Sequence, residues 1–331
     1  MVSDNRFAVD TLLERIKVFG RQKSFGWNAL DGREIGLNPG DLALIGGRTG
    51  HGKSTVLFNM VMHWLETYTD EYFVFFTYEV PPEAMLMKIM AALTRKLGSS
   101  GLSYHDVRRW IQDADGKITD KDDVEKLHAA IDIVQKWQDR LIVIYEPEMS
   151  VDQLARKSRE IRSEVGNIGA ILVDYLQLVP PPPGDHDTRE YEVGLIARHM
   201  KRLAVNLDCP VAAAAQISRE AARLSDWIPD GTLEDERVIK AIAKRRPQLH
   251  HLREGGGEQE ADLVLGLLNY RADFLQACED AGAAELSRKE TGSAGLLEVG
   301  VIKNRYGELG IAPLILESRS GYIRDPGAFG R

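Results

Sequence analysis

Short apolar runs alternate with longer amphipathic stretches along most of the chain, beginning near residue 41. Runs of this length suit strands that are buried on both faces of a sheet, and the stretches between them are long enough for crossover helices. The predicted strands are Asp41–Ile45, Tyr72–Thr77, Leu141–Tyr145, Ala170–Val173, Val211–Ala215, Leu263–Leu268 and Leu297–Ile302. The predicted helices cover residues 53–66, 83–97, 122–137, 151–165 and 190–207. This order predicts an α/β fold, with a mostly parallel, twisted sheet flanked by helices.

Three segments depart from that alternation. Residues 1–23 carry apolar side chains three to five positions apart, which predicts a short amphipathic N-terminal helix. This helix either packs on its own domain, residues 24–331, or docks on a neighbouring copy of the chain. Pro180–Pro183 exclude both helix and strand. The charged stretch 218–260 is predicted to be a long loop, and loops of that length are usually functional or disordered.

The composition is typical of a soluble globular protein and not of a disordered or disulfide-stapled one. Of 331 residues, 44% are hydrophobic and 28% are charged, and 42 Lys and Arg against 50 Asp and Glu give a net charge of −8. This acidic balance argues against a protein that coats nucleic acid through bulk charge, so any such contact should be local. Two isolated cysteines, no membrane-length apolar run and no signal-peptide pattern predict a reducing, cytoplasmic location.

The strongest chemical signal lies between the first predicted strand and the first predicted helix. The sequence there is Gly47-Arg48-Thr49-Gly50-His51-Gly52-Lys53-Ser54, which matches the phosphate-loop pattern G-x-x-x-x-G-K-[ST] in its required context. Backbone N–H groups of such a loop surround phosphate oxygens, and the helix N-terminus adds partial positive charge. Lys53 is predicted to reach the β- and γ-phosphates, and Ser54 to bind Mg²⁺. A chance glycine turn is the alternative, and the flanking elements disfavour it.

Polar residues follow three other predicted strands. Asp174 ends an apolar run and is predicted to hold Mg²⁺, because a buried carboxylate is costly unless it meets a cation. Glu79 is predicted to activate the attacking water, and Gln216 to sense the γ-phosphate. Ligands of α/β sheets bind at the carboxyl ends of the strands, so these side chains should meet there. The predicted cofactors are therefore ATP and Mg²⁺, and the predicted nucleotide-binding set is Gly47, Arg48, Thr49, Gly50, His51, Gly52, Lys53, Ser54, Thr55 and Asp174.

Several motifs occur in an order that resembles one protein family. They are the phosphate loop, Tyr78-Glu79-Val80-Pro81, Val173-Asp174-Tyr175-Leu176-Gln177-Leu178, Gln216-Ile217-Ser218-Arg219, Leu252-Arg253-Glu254-Gly255, Glu260-Ala261-Asp262-Leu263 and Lys303-Asn304-Arg305-Tyr306-Gly307. Over residues 24–325 the chain resembles the ATPase domain of DnaB-type replicative helicases, which has a RecA-like fold. The Asp-Tyr-Leu-Gln-Leu and Lys-x-Arg-x-Gly motifs are much more specific than a phosphate loop alone.

The resemblance implies a homohexameric ring with ATP sites between subunits. It implies that Lys303 and Arg305 reach the γ-phosphate bound by the neighbouring subunit, where a guanidinium stabilises charge that develops in phosphoryl transfer. Without the upstream motifs, a solvated charge pair in a turn would be the expectation. The resemblance also favours docking of helix 1–23 on the adjacent subunit, with a helicase loader or primase as further partners. No N-terminal helical domain precedes the match, so a phage, plasmid or other mobile-element helicase, acting in a host cytoplasm, is also expected.

In the family, two loops of each subunit hold single-stranded DNA in the ring channel. The matching stretches here are residues 180–190 and the stretch that ends at Arg253-Glu254-Gly255-Gly256, where Arg245 and Arg246 add positive charge. Aromatic residues are absent from 237–260, so contacts to the phosphate backbone are predicted instead of base stacking. An ordinary solvated basic loop is the alternative.

These patterns predict an ATP-hydrolysing ring that moves along single-stranded DNA and unwinds duplex DNA during replication. One alternative is a RecA-like ATPase of recombination, clock or defence type that binds DNA without unwinding it. A second is an assembly module that uses ATP only to close a ring. A small-molecule kinase is disfavoured, because Lys303 and Arg305 suit a subunit interface better than an acceptor-binding lid. The stretch 219–249 is longer than the resemblance leads us to expect.

Overall fold

A nine-stranded sheet lies at the centre of the residues that the computed structural model describes, namely 22–112, 120–184, 188–217, 229–253, 257–289 and 294–327. The strands are β1 Leu42–Gly47, β2 Tyr72–Thr77, β3 Leu141–Tyr145, β4 Ile168–Asp174, β5 Val211–Gln216, β6 Leu263–Asn269, β7 Ala294–Asn304, β8 Gly310–Glu317 and β9 Tyr322–Arg324. Their order across the sheet is β3-β2-β4-β5-β1-β6-β7-β8-β9. Strands β1 to β6 pair in parallel, and β7 to β9 extend the sheet with antiparallel pairs. The predicted α/β fold with a mostly parallel sheet is confirmed.

Helices cover both faces of this sheet. They are α1 Asn28–Asp31, α2 Lys53–Thr67, α3 Pro82–Leu97, α4 Tyr104–Gln112, α5 Lys121–Trp137, α6 Val151–Val165, α7 Arg189–Leu207, α8 Glu236–Ala243, α9 Leu249–Arg253, α10 Tyr270–Asp280 and α11 Ala284–Lys289. Along β1, Ala43 and Ile45 pack in the apolar cluster that contains α2, α3 and α5, whereas Leu42 and Leu44 pack in the cluster that contains α6 and α7. Burial on both faces explains why the strands are continuous apolar runs.

All seven strands and all five helices predicted from the sequence are present, with their ends shifted by at most three residues. The sequence pattern does not predict β8 and β9. Pro313 lies within β8, and a proline normally argues against a strand because it has no N–H to donate. In the structure Pro313 pairs with Glu298 of β7, while β9 pairs only with residues 315–317, so the proline lies where the edge of the sheet is open.

The prediction of a long loop over 218–260 is wrong in its described part. Residues there form α8 and α9. The side chain of Asp235 caps α8 by accepting a hydrogen bond from a backbone N–H of its first turn. Val238 and Ile242, one turn apart, are buried with Phe274 in a small apolar cluster. Two apolar positions among many charges are too weak a periodic signal to reveal this helix.

Other predicted segments have different outcomes. Residues 180–184 contain neither helix nor strand, as predicted. Residues 1–21 of the predicted N-terminal helix lie outside the described residues. Lys23 forms an antiparallel bridge with Leu37. Among the described helices, none has the length and apolar character needed to cross a membrane.

Both cysteines are buried and free, which allows a test of the fold by thiol labelling. Burial raises the pKa of the Cys209 thiol to about 12 and also raises the pKa of Cys278. Since the thiolate is the reactive species, we expect folded protein at mildly alkaline pH to resist a disulfide reagent. The same protein in denaturant should react at two thiols per chain. Fast reaction of either thiol in the folded protein would contradict its burial.

Candidate functional site

The carboxyl ends of four parallel strands bring the predicted site residues to one edge of the sheet. In the observed register, Gly47 of β1 lies beside Gln216 of β5, and Thr77 of β2 lies beside Asp174 of β4. Glu79 follows the end of β2 by two residues. Ligands of open α/β sheets bind at this edge, outside the carboxyl ends of the strands. The fold therefore gathers side chains that are far apart in the sequence.

Residues 48–52 form a tight loop between β1 and α2. Gly50 and Gly52 have φ values of 80° and 91°, a conformation that L side chains rarely adopt. Lys53 begins α2, and its Nζ donates a hydrogen bond of 3.1 Å to the carbonyl of Arg48 across the loop. No side chain caps the N-terminus of α2. Uncapped N–H groups at a helix N-terminus are a ready site for an anion, so this loop can hold phosphate oxygens.

Asp174 is a buried carboxylate at the end of β4. It is 1% exposed, and neither of its oxygens has a hydrogen-bond partner among the described residues. Burial raises the pKa of Asp174, the nearby Ser54 hydroxyl opposes that rise, and the charge of Glu79 adds to it. Burying a carboxylate in this way is costly unless a cation compensates it.

The side chains of Asp174 and Ser54 have the oxygen chemistry that suits Mg²⁺. Mg²⁺ prefers oxygen ligands and usually keeps only one or two from the protein, the rest coming from phosphates and water. Asp174 and Ser54 would supply those protein oxygens. In the described ranges no group of three or more His, Cys, Asp and Glu side chains is suited to a metal.

Asp174→Asn is expected to make the ligand-free protein more stable at neutral pH. Because burial raises the pKa of Asp174 in the folded state, stability is lost as the pH rises from about 4, the unfolded value, through that higher pKa. An amide carries no charge and escapes this cost. Thermal unfolding at neutral pH without Mg²⁺ should show a higher Tm, by about 2–4 °C for each kcal/mol recovered. A lower Tm for the variant would contradict the unpaired state of this carboxylate.

Glu79 is exposed at the rim of the same site. Thr77 shapes the turn before it, because its hydroxyl donates to the carbonyl of Val80 at 2.7 Å and accepts from the N–H of Val80 at 3.1 Å. Burial lowers the pKa of Lys53, and the charges of Asp174 and Glu79 oppose that shift. The ammonium and the two carboxylates therefore lie within electrostatic reach of one another.

Gln216 contacts the phosphate loop. Its Nε2 lies 3.3 Å from the hydroxyl of Thr49. The side-chain amide of Gln177 holds the backbone of Gln216 at both ends, accepting from its N–H at 3.0 Å and donating to its carbonyl at 3.0 Å. Arg189 of α7 in turn donates to the carbonyl of Gln177. Sequence reasoning assigns no role to Gln177, although it belongs to the Asp-Tyr-Leu-Gln-Leu motif.

The side chains of Arg48 and His51 point under the loop, towards α10. Arg48 forms an ion pair of 2.6 Å with Asp273, and His51 accepts a hydrogen bond from the N–H of Asn269 at 3.2 Å. Both residues are predicted from the motif to bind the nucleotide. In this arrangement their side chains contact Asp273 and Asn269 instead of the space above the loop, and the N–H of His51 donates to the carbonyl of Arg48 at 3.2 Å.

Lys303 and Arg305 lie at the opposite edge of the sheet from the phosphate loop. Arg305 pairs at 2.7 Å with Asp262, the residue before β6, and its side chain is 51% exposed. Lys303 donates to the carbonyl of Glu258 at 2.8 Å. Gly47, where the phosphate loop begins, pairs with the far part of β6, a strand length of about 16 Å from Asp262. These two cations are therefore remote from the phosphate loop of their own chain.

The residues predicted to bind DNA are only partly described. Arg245 forms an ion pair of 3.0 Å with Asp273, and its side chain is 13% exposed. Arg246 binds Glu298 through two hydrogen bonds of 2.6 and 2.9 Å. Arg253 is the last residue of α9. Glu254, Gly255 and Gly256 lie outside the described residues.

Comparisons with a family model and with curated proteins agree on one family. The family model of the DnaB-like helicase C-terminal domain matches residues 24–324. Replicative DNA helicase DnaB of Pasteurella multocida is 30% identical over 265 residues, which cover 80% of this chain and 49% of that protein. Replicative DNA helicase DnaC of Bacillus subtilis is 27% identical over 290 residues, which cover 87% of this chain and 53% of that protein. The chain spans about half the length of these relatives.

Two solved structures share the fold at low sequence identity. The ATPase domain of G40P has a TM-score of 0.70 at 22% identity, over 96% of this chain and 97% of that chain. A DnaB-like replicative helicase, described with its interactions with primase, has a TM-score of 0.70 at 22% identity, over 98% of this chain and 68% of that chain. They confirm the predicted RecA-like architecture. Because the family model matches nearly the whole chain, the chain belongs to the family of DnaB-like helicase C-terminal domains.

Proposed function

We propose that the chain is the ATP-hydrolysing motor of a hexameric helicase that moves along single-stranded DNA and unwinds duplex DNA during replication. The proposal is carried by a phosphate loop beside the buried carboxylate of Asp174, whose oxygens have no hydrogen-bond partner among the described residues, in a chain of this family. The curated relatives are named replicative DNA helicases, which supports the same activity here.

The phosphate loop is the proposed binding site for ATP. Backbone N–H groups of residues 47–55 hold the phosphates, and the ammonium of Lys53 contacts the β- and γ-phosphates. Ser54 and Asp174 hold Mg²⁺, which, when bound, neutralises charge on the phosphate oxygens. The ion would then contact the carboxylate oxygens of Asp174, which have no hydrogen-bond partner among the described residues.

Glu79 is the proposed base for hydrolysis. It accepts a proton from the water that attacks the γ-phosphate, and its exposed position at the rim leaves room for that water. Gln216 contacts Thr49 of the phosphate loop and is held by Gln177. Its amide can therefore respond to the presence of the γ-phosphate.

The position of Lys303 and Arg305 supports a ring. They lie at the far edge of the sheet from their own phosphate loop, which supports a role at the site of a neighbouring subunit. Arg305 is half exposed and carries a permanent charge that stabilises the transition state of phosphoryl transfer. Closed rings of identical subunits repeat such a head-to-tail contact at every interface.

Single-stranded DNA is the proposed polymer in the ring channel. Arg253, Glu254, Gly255 and Gly256 are the proposed contact residues, because Arg253 is a cation at the end of α9 and glycines let backbone N–H groups approach phosphates. Arg245 and Arg246 are already held in ion pairs with Asp273 and Glu298, so their first role is support within the chain. Primase or a helicase loader is a further proposed partner, supported by the relative that was described with primase. The proposed location is the cytoplasm of a bacterial cell, including that of a virus-infected host.

The proposal is tested by native mass spectrometry and strand separation on one preparation. With ATP, Mg²⁺ and an oligonucleotide, we expect a hexamer, and on a forked duplex we expect ATP-dependent release of one strand. ATPase activity that single strands stimulate, without strand release, would favour a RecA-like ATPase that binds DNA without unwinding it. A monomer under these conditions would contradict the inter-subunit site.

Glu79→Gln is expected to abolish ATP turnover and to leave nucleotide affinity nearly unchanged. The amide keeps the shape and exposure of the side chain but cannot accept a proton, a loss of about 10²–10⁴-fold in rate. Steady-state hydrolysis and the binding of a fluorescent ADP analogue separate these two effects. Glu83→Gln, an acidic side chain in the first turn of α3, is the matched control. An unchanged hydrolysis rate in Glu79→Gln would refute the role of this carboxylate.

A further inference from the structure

A buried charged cluster lies directly beneath the phosphate loop. It consists of Asp273 in the first turn of α10, Arg48 and His51 of the loop, and Arg245 after α8, and we call it the Asp273 cluster. Asp273 is 1% exposed and Arg48 is 9% exposed. The charges are therefore taken out of water, where pairing geometry has a large effect on their energy.

The contacts of the cluster tie the loop to two other segments. Asp273 Oδ1 lies 2.6 Å from Arg48 Nη1, and Asp273 Oδ2 lies 3.0 Å from Arg245 Nε. Arg48 also donates from Nη2 to the carbonyl of Arg245 at 3.0 Å. A planar guanidinium that bridges two acceptors fixes both distance and angle. The loop is thus anchored to α10 and to the segment that leads into α9.

The cluster has an unequal charge balance. Burial lowers the pKa of His51 to about 3, with the charge of Arg48 adding to the effect, so this imidazole is neutral near pH 7. Its Nδ1 lies 3.2 Å from the backbone nitrogen of Asn269, and its Nε2 lies 3.6 Å from Asp273 Oδ1. Within this cluster one carboxylate, Asp273, therefore faces two guanidiniums, those of Arg48 and Arg245.

We propose that Asp273 is a positioning residue for nucleotide binding, which holds Arg48 and Arg245 so that the phosphate loop keeps the shape that accepts ATP. This proposal rests on the proposed function only in that the loop binds a nucleotide. Asp273 acts through Arg48 and the loop backbone and does not touch the phosphates itself.

Charge and position predict opposite effects for Asp273→Asn. Removing the carboxylate makes the charge under the loop more positive by one unit, so electrostatic attraction alone would tighten the binding of an anion. Loss of the ion pairs with Arg48 and Arg245 releases the loop, which should weaken binding about tenfold. The sign of the change in affinity therefore separates a positioning role from a simple effect of charge.

The experiment measures the Kd of a fluorescent ADP analogue with Mg²⁺ for the full chain and its variants, at a temperature where circular dichroism shows each to be folded. We expect Asp273→Asn to weaken binding about tenfold. Arg48→Lys keeps the charge of the cluster but loses the two-point bridge, so it should weaken binding about threefold or more. Glu298→Gln is the matched control, because it changes an equivalent buried carboxylate whose hydrogen bonds go to Arg246 and Tyr270.

Each outcome decides between the possibilities. Weaker binding in Asp273→Asn and Arg48→Lys, with Glu298→Gln unchanged, supports the proposal. Equal or tighter binding in Asp273→Asn overturns it, and if that variant does not fold, equal binding in Arg48→Lys overturns it. A comparable loss in Glu298→Gln would also overturn it, because any buried carboxylate would then have the same effect. A native chain that binds no nucleotide would overturn the proposed function as well.

Discussion

Lys53→Met is expected to remove nucleotide binding and to lower ATP turnover by about 10²–10³-fold. The ammonium of Lys53 lies in the phosphate loop, where its Nζ donates to the carbonyl of Arg48. Burial lowers its pKa, but the carboxylates of Asp174 and Glu79 oppose this shift and favour the charged form. Methionine has nearly the same length and no charge, so it fills the space without supplying a cation for the β- and γ-phosphates.

The measurement for Lys53→Met pairs steady-state hydrolysis with the binding of a fluorescent ADP analogue. Lys157→Met is the matched control, because it makes the same substitution at a surface lysine, 44% exposed and 3.8 Å from Glu160. We expect the control to retain native turnover and the Tm of both variants to stay close to that of the native chain. Turnover in Lys53→Met within about tenfold of native would contradict phosphate binding by this loop.

The carboxyl-edge site is predictable because each of its residues has a local signature. Asp174 and Gln216 directly end apolar strands, Glu79 follows one by two residues, and the glycines and Lys53 form a recognisable motif. Parallel pairing then brings these ends together, so a one-dimensional pattern is sufficient to predict a three-dimensional cluster. The same reasoning predicts seven strands and five helices, because their apolar periodicity is strong.

Residues whose role depends on long-range contacts leave no such signature. Asp273 lies in a helix that follows β6 directly, and nothing near it in the sequence indicates its partners Arg48 and Arg245. In the same way, Gln177 is recognisable only as part of a motif, and its two hydrogen bonds to Gln216 follow from strand pairing. Arg245 also shows that a basic residue in a charged stretch can be an internal ion-pair partner, which composition alone cannot distinguish from a DNA contact.

Arg305→Ala is expected to lower ATP turnover by about 10³-fold or more while nucleotide binding to the isolated subunit persists. Arg305 lies at the edge of the sheet opposite its own phosphate loop, so in the proposed ring it completes the site of a neighbour. Loss of the Arg305 side chain does not leave Asp262 without a cation, because Asp262 keeps a contact of 2.6 Å with Lys201. Arg198→Ala is the matched control, since Arg198 is also 51% exposed and pairs with a carboxylate at 2.9 Å.

Mixing Lys53→Met with Arg305→Ala subunits separates a role in the neighbouring site from a role within one subunit. Each variant alone should be inactive, but an interface between an intact phosphate loop and an intact Arg305 forms when the two variants meet in the correct order. Random assembly of equal amounts around a closed ring restores roughly a quarter of the interfaces. We therefore expect ATP turnover to reappear after subunit exchange, although neither variant shows it alone. If the mixture stays as inactive as its components while native mass spectrometry shows mixed rings, Arg305 does not complete the neighbour's site. The ion pair of Arg305 with Asp262 would then have a structural role.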